Sequence, residues 1–238
     1  MGKDRKKLCI LGTAESMKQA PFEDDSFDIW GMSALTSYKD CKRIDRLFEF
    51  HPRRYWGQLP VLMRMEKETV PVYMQDHYPE IPTSVKYPRE EIKEMFHLSS
   101  MGENLFVTNS ITWIILLGLY EGYKDFALFG VHMANDMEYS YQQPSCSWAL
   151  GIIHGRMLAG EPYSLEIAEE SSLLKARYEY GFDEPSKLMI AIEARKNGLK
   201  NGLEQTTKQM AELQQAKLHT EGSLKEAEYW YNHVMGYR

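Results

Sequence analysis

Through the first 170 residues, short apolar runs alternate with polar or amphipathic stretches. KLCILG (7–12) has the compact apolar pattern of a buried strand, and DSFDIWGM (25–32), DRLFEFH (45–51), TVPVYM (69–74), DFALFGV (125–131) and PYSLEIA (162–168) read the same way. Between them, TAESMKQAPF predicts a helical turn closed by Pro21, and a polar helical stretch follows His51. EEIKEMF (90–96) predicts a short helix, 109–121 a strong one stopped at Gly122-Tyr123, and SWALGIIHGRMLAG (147–160) another ending at Gly160. Residues 75–104 are rich in Pro, Tyr and charge, and Pro79, Pro82 and Pro88 forbid a long helix there.

Strands separated by helices predict an α/β fold, a mostly parallel sheet with helices on both faces, because a parallel return needs a crossover. After Pro185 the pattern changes. Leu188, Ile192, Leu199, Leu203, Met210 and Leu213 recur at three-, four- and seven-residue steps, and Leu224, Ala227, Tyr231 and Val234 continue the stripe. The reading is therefore an α/β domain over 1–185 and a C-terminal amphipathic helical appendage over 186–238. Two Asn-Gly pairs, 197–198 and 201–202, disfavour helix and either bend it or join two antiparallel arms, which leaves a coiled coil or a hairpin. The stripe must be buried, so self-association, a protein partner or docking onto the body is expected.

The composition of the 238-residue chain, 43% hydrophobic and 26% charged, is that of a soluble globular protein. Its longest apolar stretch, 111–120, is about half of a membrane span, and the N-terminal segment is too short for a secretory signal. Cys9, Cys41 and Cys146 lie far apart with no zinc spacing, which points to reduced thiols in a cytoplasm. The net charge of −6 sits on the body: residues 186–238 carry 8 basic and 6 acidic side chains of the 28 and 34, leaving 20 and 28. An acidic body is no non-specific nucleic-acid binder.

In an open parallel sheet, ligands bind beyond the carboxyl ends of the strands. Four places qualify. After the first strand, Gly12 permits a tight turn and Thr13 and Ser16 offer hydroxyls to an anion; GxGxxG is absent, which excludes a standard NAD enzyme. After the third strand, Arg53 and Arg54 beside Tyr55 and Trp56 can clamp a phosphate or carboxylate and stack on a base. Glu49 and His51, alternate residues of one strand, share a face. Thr108, Asn109 and Ser110 open a helix, as an N-cap or as a phosphate site. Finally His132, Asp136 and Glu138 follow the 125–131 strand, where the histidine can carry a proton; the acids read as solvated and no metal is assigned. His154 reads as structural. No GxSxG, HExxH or P-loop occurs.

The stretches CILGTAESM, DSFDIWGMS, RLFEFHPRRYW, TNSITWIILLGLYEGYKDFALFGVHM and EYSYQQPSCSWALGIIHGR resemble a group of Rossmann-like proteins of tailed bacteriophages and prophages, over about residues 7–175. More distantly, the layout resembles bacterial sialyltransferases that use a CMP-linked sugar, and the 6-hydroxymethylpterin pyrophosphokinase-like family. The resemblance implies a Rossmann-like fold with a nucleotide lying across the turns. By it, Gly12 and Ser16 match the first turn, Ser33 replaces the usual Asn after the second strand, and Thr108, Asn109 and Ser110 match the helix start. Ala14 and Glu15 depart from the expected Gly and Pro, His132 stands where an acid is usual, and no position matches the sialyltransferases' catalytic histidine.

The resulting expectation is a phage-type protein that binds a nucleotide or nucleotide-sugar through Gly12, Thr13, Ser16, Ser33, Arg53, Arg54, Thr108, Asn109 and Ser110. As an enzyme it would be a glycosyl- or diphosphate-transferase with His51 or His132 as proton carrier. No cofactor beyond the nucleotide is implied. Two rivals stand beside this reading: a non-catalytic virion or assembly protein that interacts through its C-terminal helices, and a host-defence antagonist that sequesters a nucleotide signal. The corresponding location is the bacterial cytoplasm or the virion.

Overall fold

The computed structural model describes residues 7–54, 69–98, 106–134, 138–176, 179–184 and 186–236. Seven strands form one sheet: β1 (Lys7–Leu11), β2 (Phe27–Met32), β3 (Arg46–Glu49), β4 (Val72–Met74), β5 (Ser84–Lys86), β6 (Asp125–Phe129) and β7 (Ser164–Ile167). Their order is β5-β4-β3-β2-β1-β6-β7, and every pairing is parallel. The chain steps outward from β1 to β5, then returns to place β6 on the other side of β1. That reversal puts the topological switch between β1 and β6.

Alternation along β1 assigns the two faces. Leu8 and Ile10 join one core cluster, with Trp30, Phe48, Phe126 and Leu128. Cys9 and Leu11 join the other, with Ile29, Ala127 and Phe129. On the first face lie three helices, α1 (Arg89–Met95), α2 (Ser110–Tyr120) and α3 (Gln143–Leu158), which contribute Ile92, Ile114, Ile115, Cys146, Leu150 and Ile153. The described part of the second face is covered by the short 3-10 turns Glu15–Gln19 and Ser33–Ser37, through Met17 and Leu35. Burying each such side chain contributes about 1.5–3 kcal/mol. α2 is apolar nearly all round because it lies inside this core; Asn109 caps it by accepting from the Thr112 amide, and Gly122, at φ +86°, follows its end.

Several elements differ from the pattern-based reading. The sheet is wholly parallel among the described residues and gains β5, which lies in the proline-rich segment. α3 starts at Gln143, ahead of the expected 147, after a π-helical turn over Glu138–Gln142. The polar helical stretch expected after His51 lies mostly outside the described residues, as do Tyr55, Trp56 and Asp136.

The switch between β1 and β6 is closed by backbone. Gly12 N–H donates to Phe129 O (2.9 Å) and Ala14 N–H to Gly130 O (2.8 Å). A Cβ at Gly12 would stand 2.2 Å from the Gly130 carbonyl oxygen, and one at Gly130 (φ +68°) would stand 2.4 Å from the Gly12 oxygen. Only glycine lets these two chains approach so closely.

The chain separates into two compact units, Met1–Lys175 and Ala176–Arg238. The second carries α4 (Lys187–Met235), one continuous helix of 49 residues. Neither Asn-Gly pair interrupts it, so the hairpin alternative does not form within the chain. Ser186 caps it by accepting from the Met189 amide (3.2 Å). Its apolar side chains, Leu199 at 66%, Leu203 at 68% and Leu213 at 70% among them, are exposed. No helix among the described residues is long and apolar enough to cross a membrane.

These packing differences separate glycines that look alike in sequence. Gly12→Ala is expected to destabilise the body by about 3 kcal/mol or more through overpacking against backbone. Gly198→Ala and Gly202→Ala, with nothing within 4 Å of an added Cβ, should stabilise α4 by about 1 kcal/mol each. Thermal unfolding followed by circular dichroism checks both signs. The thiols separate too: burial pushes Cys9 and Cys146 up to about 12, and raises the half-buried Cys41 above its ordinary value. Iodoacetamide at pH 8 should therefore modify Cys41 well before the other two, as read by peptide mass spectrometry.

Candidate functional site

The carboxyl edge of the sheet gathers two constellations around the end of β3. The first begins with register. Met32 pairs with Phe48, so the next residues, Ser33 and Glu49, meet side by side. Both are buried, at 4% and 5% exposure. Ser33 Oγ donates to Glu49 Oε2 at 2.5 Å. The other oxygen, Oε1, accepts from the His51 backbone N–H (2.8 Å) and lies 2.5 Å from His51 Nδ1. Ser33 is itself fixed where its carbonyl accepts from Thr36 Oγ1 (2.8 Å) in the 3-10 turn.

A carboxylate taken out of water is costly unless hydrogen bonds replace its hydration. Here three donors do so. An ionised carboxylate only accepts, so against it Nδ1 must carry the hydrogen, which leaves the lone pair on Nε2. The His51 side chain is 62% exposed, so a buried acid orients a histidine that solvent can reach. That is the geometry of a general base, with the carboxylate stabilising the imidazolium formed when the ring takes a proton.

The second constellation is a cavity of about 440 Å³ beyond the ends of β3, β4 and β5, lined by Phe50, Gln75, Tyr87, Arg89 and Trp113. Phe50 sits between Glu49 and His51 in sequence and points to the opposite face, where it packs edge-on to Tyr87 (5.0 Å, 89°). Tyr87 in turn packs edge-on to Trp113 (5.5 Å, 72°) and donates its hydroxyl to Trp113 O (2.7 Å). Burial raises the Tyr87 phenol well above its ordinary value, so it stays a neutral donor. Gln75 Nε2 donates to Phe50 O (2.8 Å), tying β4 to β3. Arg89, 57% exposed, pairs with Glu90 (2.9 Å). A second hollow of about 500 Å³ shares Gln75, Tyr87 and Arg89 and adds Lys86, Pro88, Glu90 and Glu91. Aromatic walls with an arginine at the rim suit a flat ring that carries an anionic group.

The residues singled out from sequence fall in several places. Ser33 and His51 are brought together, through Glu49. Gly12 and Ser16 meet the end of β6, where Ser16 Oγ accepts from Gly130 N–H (3.0 Å) and is buried; Thr13 beside them is half-buried. Glu15 turns outward, 86% exposed, to Lys18 (2.6 Å). Thr108 and Asn109 bind the turn before α3: Thr108 Oγ1 donates to Tyr141 O (2.6 Å) and Asn109 Nδ2 to Gln142 O (2.9 Å). Ser110 is half-buried at the start of α2. Arg53 pairs with Glu80 (2.6 Å) in the β4–β5 connection and lies over the Tyr78 ring (5.9 Å); Arg54 is exposed. His132 is exposed after β6, and His154 is exposed on α3. Among the described residues no three metal-ligating side chains gather.

Sequence reasoning passed over Gln75, Tyr87, Arg89 and Trp113. Gln75 follows β4 and Trp113 lies on α2, while Tyr87 and Arg89 follow β5, whose Ser84-Val85-Lys86-Tyr87 alternation between Pro82 and Pro88 is the available signal.

No protein-family model and no curated protein matches the chain. Among solved structures, the sialyltransferase CstII from Campylobacter jejuni in complex with cytidine-5'-monophosphate is similar at 14% identity and a TM-score of 0.43, covering 79% of this chain and 99% of that one. The monofunctional alpha-2,3-sialyltransferase Cst-I from the same organism is similar at 12% identity and a TM-score of 0.47, over 86% and 97%. An alpha-2,3-sialyltransferase from Campylobacter jejuni in apo form gives 15%, 0.43, 84% and 96%. Identity and superposition this low leave the chemistry of the site to be judged from its own residues.

The Ser33–Glu49–His51 chain makes two structural expectations. Nitrogen NMR of the imidazole should show the Nδ1–H tautomer in the native protein and lose that preference in Glu49→Leu, which removes the acceptor. Ser33→Ala removes one of the carboxylate's buried donors and should cost about 1–3 kcal/mol in denaturant unfolding.

Proposed function

We propose that the chain binds a nucleotide or nucleotide-sugar along the carboxyl edge of its sheet and transfers the glycosyl or diphosphate group. The observation that carries this reading is the buried Glu49 carboxylate, held by Ser33 and aimed at the accessible ring of His51. The Phe50–Tyr87–Trp113 cavity takes the base or sugar ring, and Arg89 takes an anionic group. In glycosyl transfer, His51 Nε2 removes the proton of the acceptor hydroxyl as its oxygen bonds to the anomeric carbon. The bond from that carbon to the phosphate oxygen breaks, and the nucleotide leaves with the electron pair. Glu49 balances the imidazolium, and positioning supplies much of the rate. The Gly12–Ser16 turn and the Thr108–Ser110 helix start form the rigid rim that holds β1, β6 and α2 in place. His132, at the end of β6, is the second candidate proton carrier.

A second reading is favoured by a separate observation, the exposed apolar stripe of α4. In it the chain is a phage virion or assembly component that self-associates through this helix, whether or not the body turns over a substrate.

Calorimetric titration with CMP, UMP, ATP and their sugar conjugates, followed by turnover assays, tests the first reading. A ligand should bind below millimolar concentration, with at least tenfold weaker binding in Arg89→Ala. His51→Ala and Glu49→Gln should lower kcat by about 10²–10⁴ with Kd changed less than threefold. Absence of binding at millimolar ligand, or full activity in His51→Ala, defeats it. Tight binding without turnover supports the antagonist role instead, and stoichiometric presence in purified particles supports the virion role.

A further inference from the structure

Most of the apolar stripe on α4 follows a seven-residue repeat. Every seventh residue from Met189 to Tyr231 forms one series, and every seventh from Ile192 to Val234 the other. Apart from Lys196, Lys217, Thr206 and Thr220, every member is apolar. On a straight helix such a repeat drifts by about 20° per heptad, so the stripe would swing by roughly 120° over its length. No flat surface can cover it. A second long helix can, because left-handed supercoiling straightens the seam. At about 1.5 Å per residue the helix is roughly 73 Å long, whereas α3, the next longest described, has 16 residues. The helix of matching length and pattern is α4 of another copy.

Charge decides the direction. In a parallel in-register pair, Lys196 would face the partner's Lys196 and Lys217 the partner's Lys217, two like-charged layers inside the seam. The flanking positions would add Arg195 against the partner's Lys200. In the fully overlapped antiparallel pair every member of the first series faces a member of the second. Lys196 then meets the partner's Ala227, whose small side chain leaves room for the amine to reach water. Lys217 meets the partner's Thr206, whose hydroxyl donates within its own helix to Leu203's neighbour, the Gly202 carbonyl (2.9 Å), and still accepts through its oxygen. Leu199 meets the partner's Leu224, and Met210 the partner's Leu213. At the flanks, Lys200 lies by the partner's Glu221, which within its own helix also stands 3.7 Å from Lys217, while Glu193 and the partner's Glu228, toward the helix ends, are the one like-charged flank. We infer that two copies of this chain pair through α4 as an antiparallel two-stranded coiled coil in this register.

This rests on the self-association reading, and the test separates the two. The full chain carries Cys41→Ser, Cys9 and Cys146 being buried. Light scattering at about 100 µM should give a dimer; a monomer overturns self-association and, with it, this pairing. Leu199→Cys and Leu224→Cys are then made singly and together and oxidised. The double variant should form a disulfide-linked dimer, while each single variant should link less than a tenth as much. A dimer in which either single variant links efficiently overturns the antiparallel direction and leaves self-association standing. A dimer whose double variant fails to link overturns the register. Adding Lys196→Leu and Lys217→Leu should let Leu199→Cys link by itself; if it does not, the lysine layers do not set the direction.

Discussion

One buried carboxylate organises the carboxyl edge of the sheet. Among the described residues Glu49 is the single buried acidic or basic residue; its buried polar companions are serines and a threonine. A lone carboxylate inside an apolar sheet is a liability worth several kcal/mol unless it is fully hydrogen-bonded. The fold meets that demand with Ser33 from the adjacent strand end and with the amide and ring of His51. The same bonds that make the charge tolerable also fix the histidine, so stability and reactivity at this position have one cause.

The sheet supplies the frame for that arrangement. Its strands all run one way, so their carboxyl ends share an edge and the loops that follow them converge there. At the switch between β1 and β6, two facing glycines let the connections interlock by backbone hydrogen bonds, with Ser16 closing the contact. Protein partners thus occupy groups that would otherwise be offered to an anion. The open volume lies toward β3, β4 and β5, where aromatic side chains replace backbone amides as the walls.

The two units of the chain answer different physical problems. The first buries its apolar residues on both faces of the sheet and is complete in itself. The second cannot be: a single helix with an exposed leucine stripe has no core of its own, and helices draw most of their stability from packing. In the pairing inferred above, its two seam lysines disfavour the parallel partner and are accommodated by the antiparallel one, as polar seam positions set direction in coiled coils.

Much of this was legible in the primary structure, for identifiable reasons. Continuous apolar runs such as KLCIL and DFALF announce strands buried on both faces, and the uniform apolarity of 111–119 with an asparagine ahead of it announces a capped core helix. The shared face of Glu49 and His51 follows from strand periodicity alone. Other features had no local signature. β5 is three residues long between prolines, and it is a strand because β4 offers it a ladder. Ser33 reads from the sequence as a ligand group; its partnership with Glu49 depends on the β2–β3 register, a relation across 16 residues. The fate of the Gly12 turn likewise depends on Gly130, and the continuity of α4 through two Asn-Gly pairs on the cooperativity of a long helix. Sequence determined which residues must be buried and with what period; tertiary structure decided which buried groups meet, because pairing across strands is set by register and by the closeness of approach that only the folded chain defines.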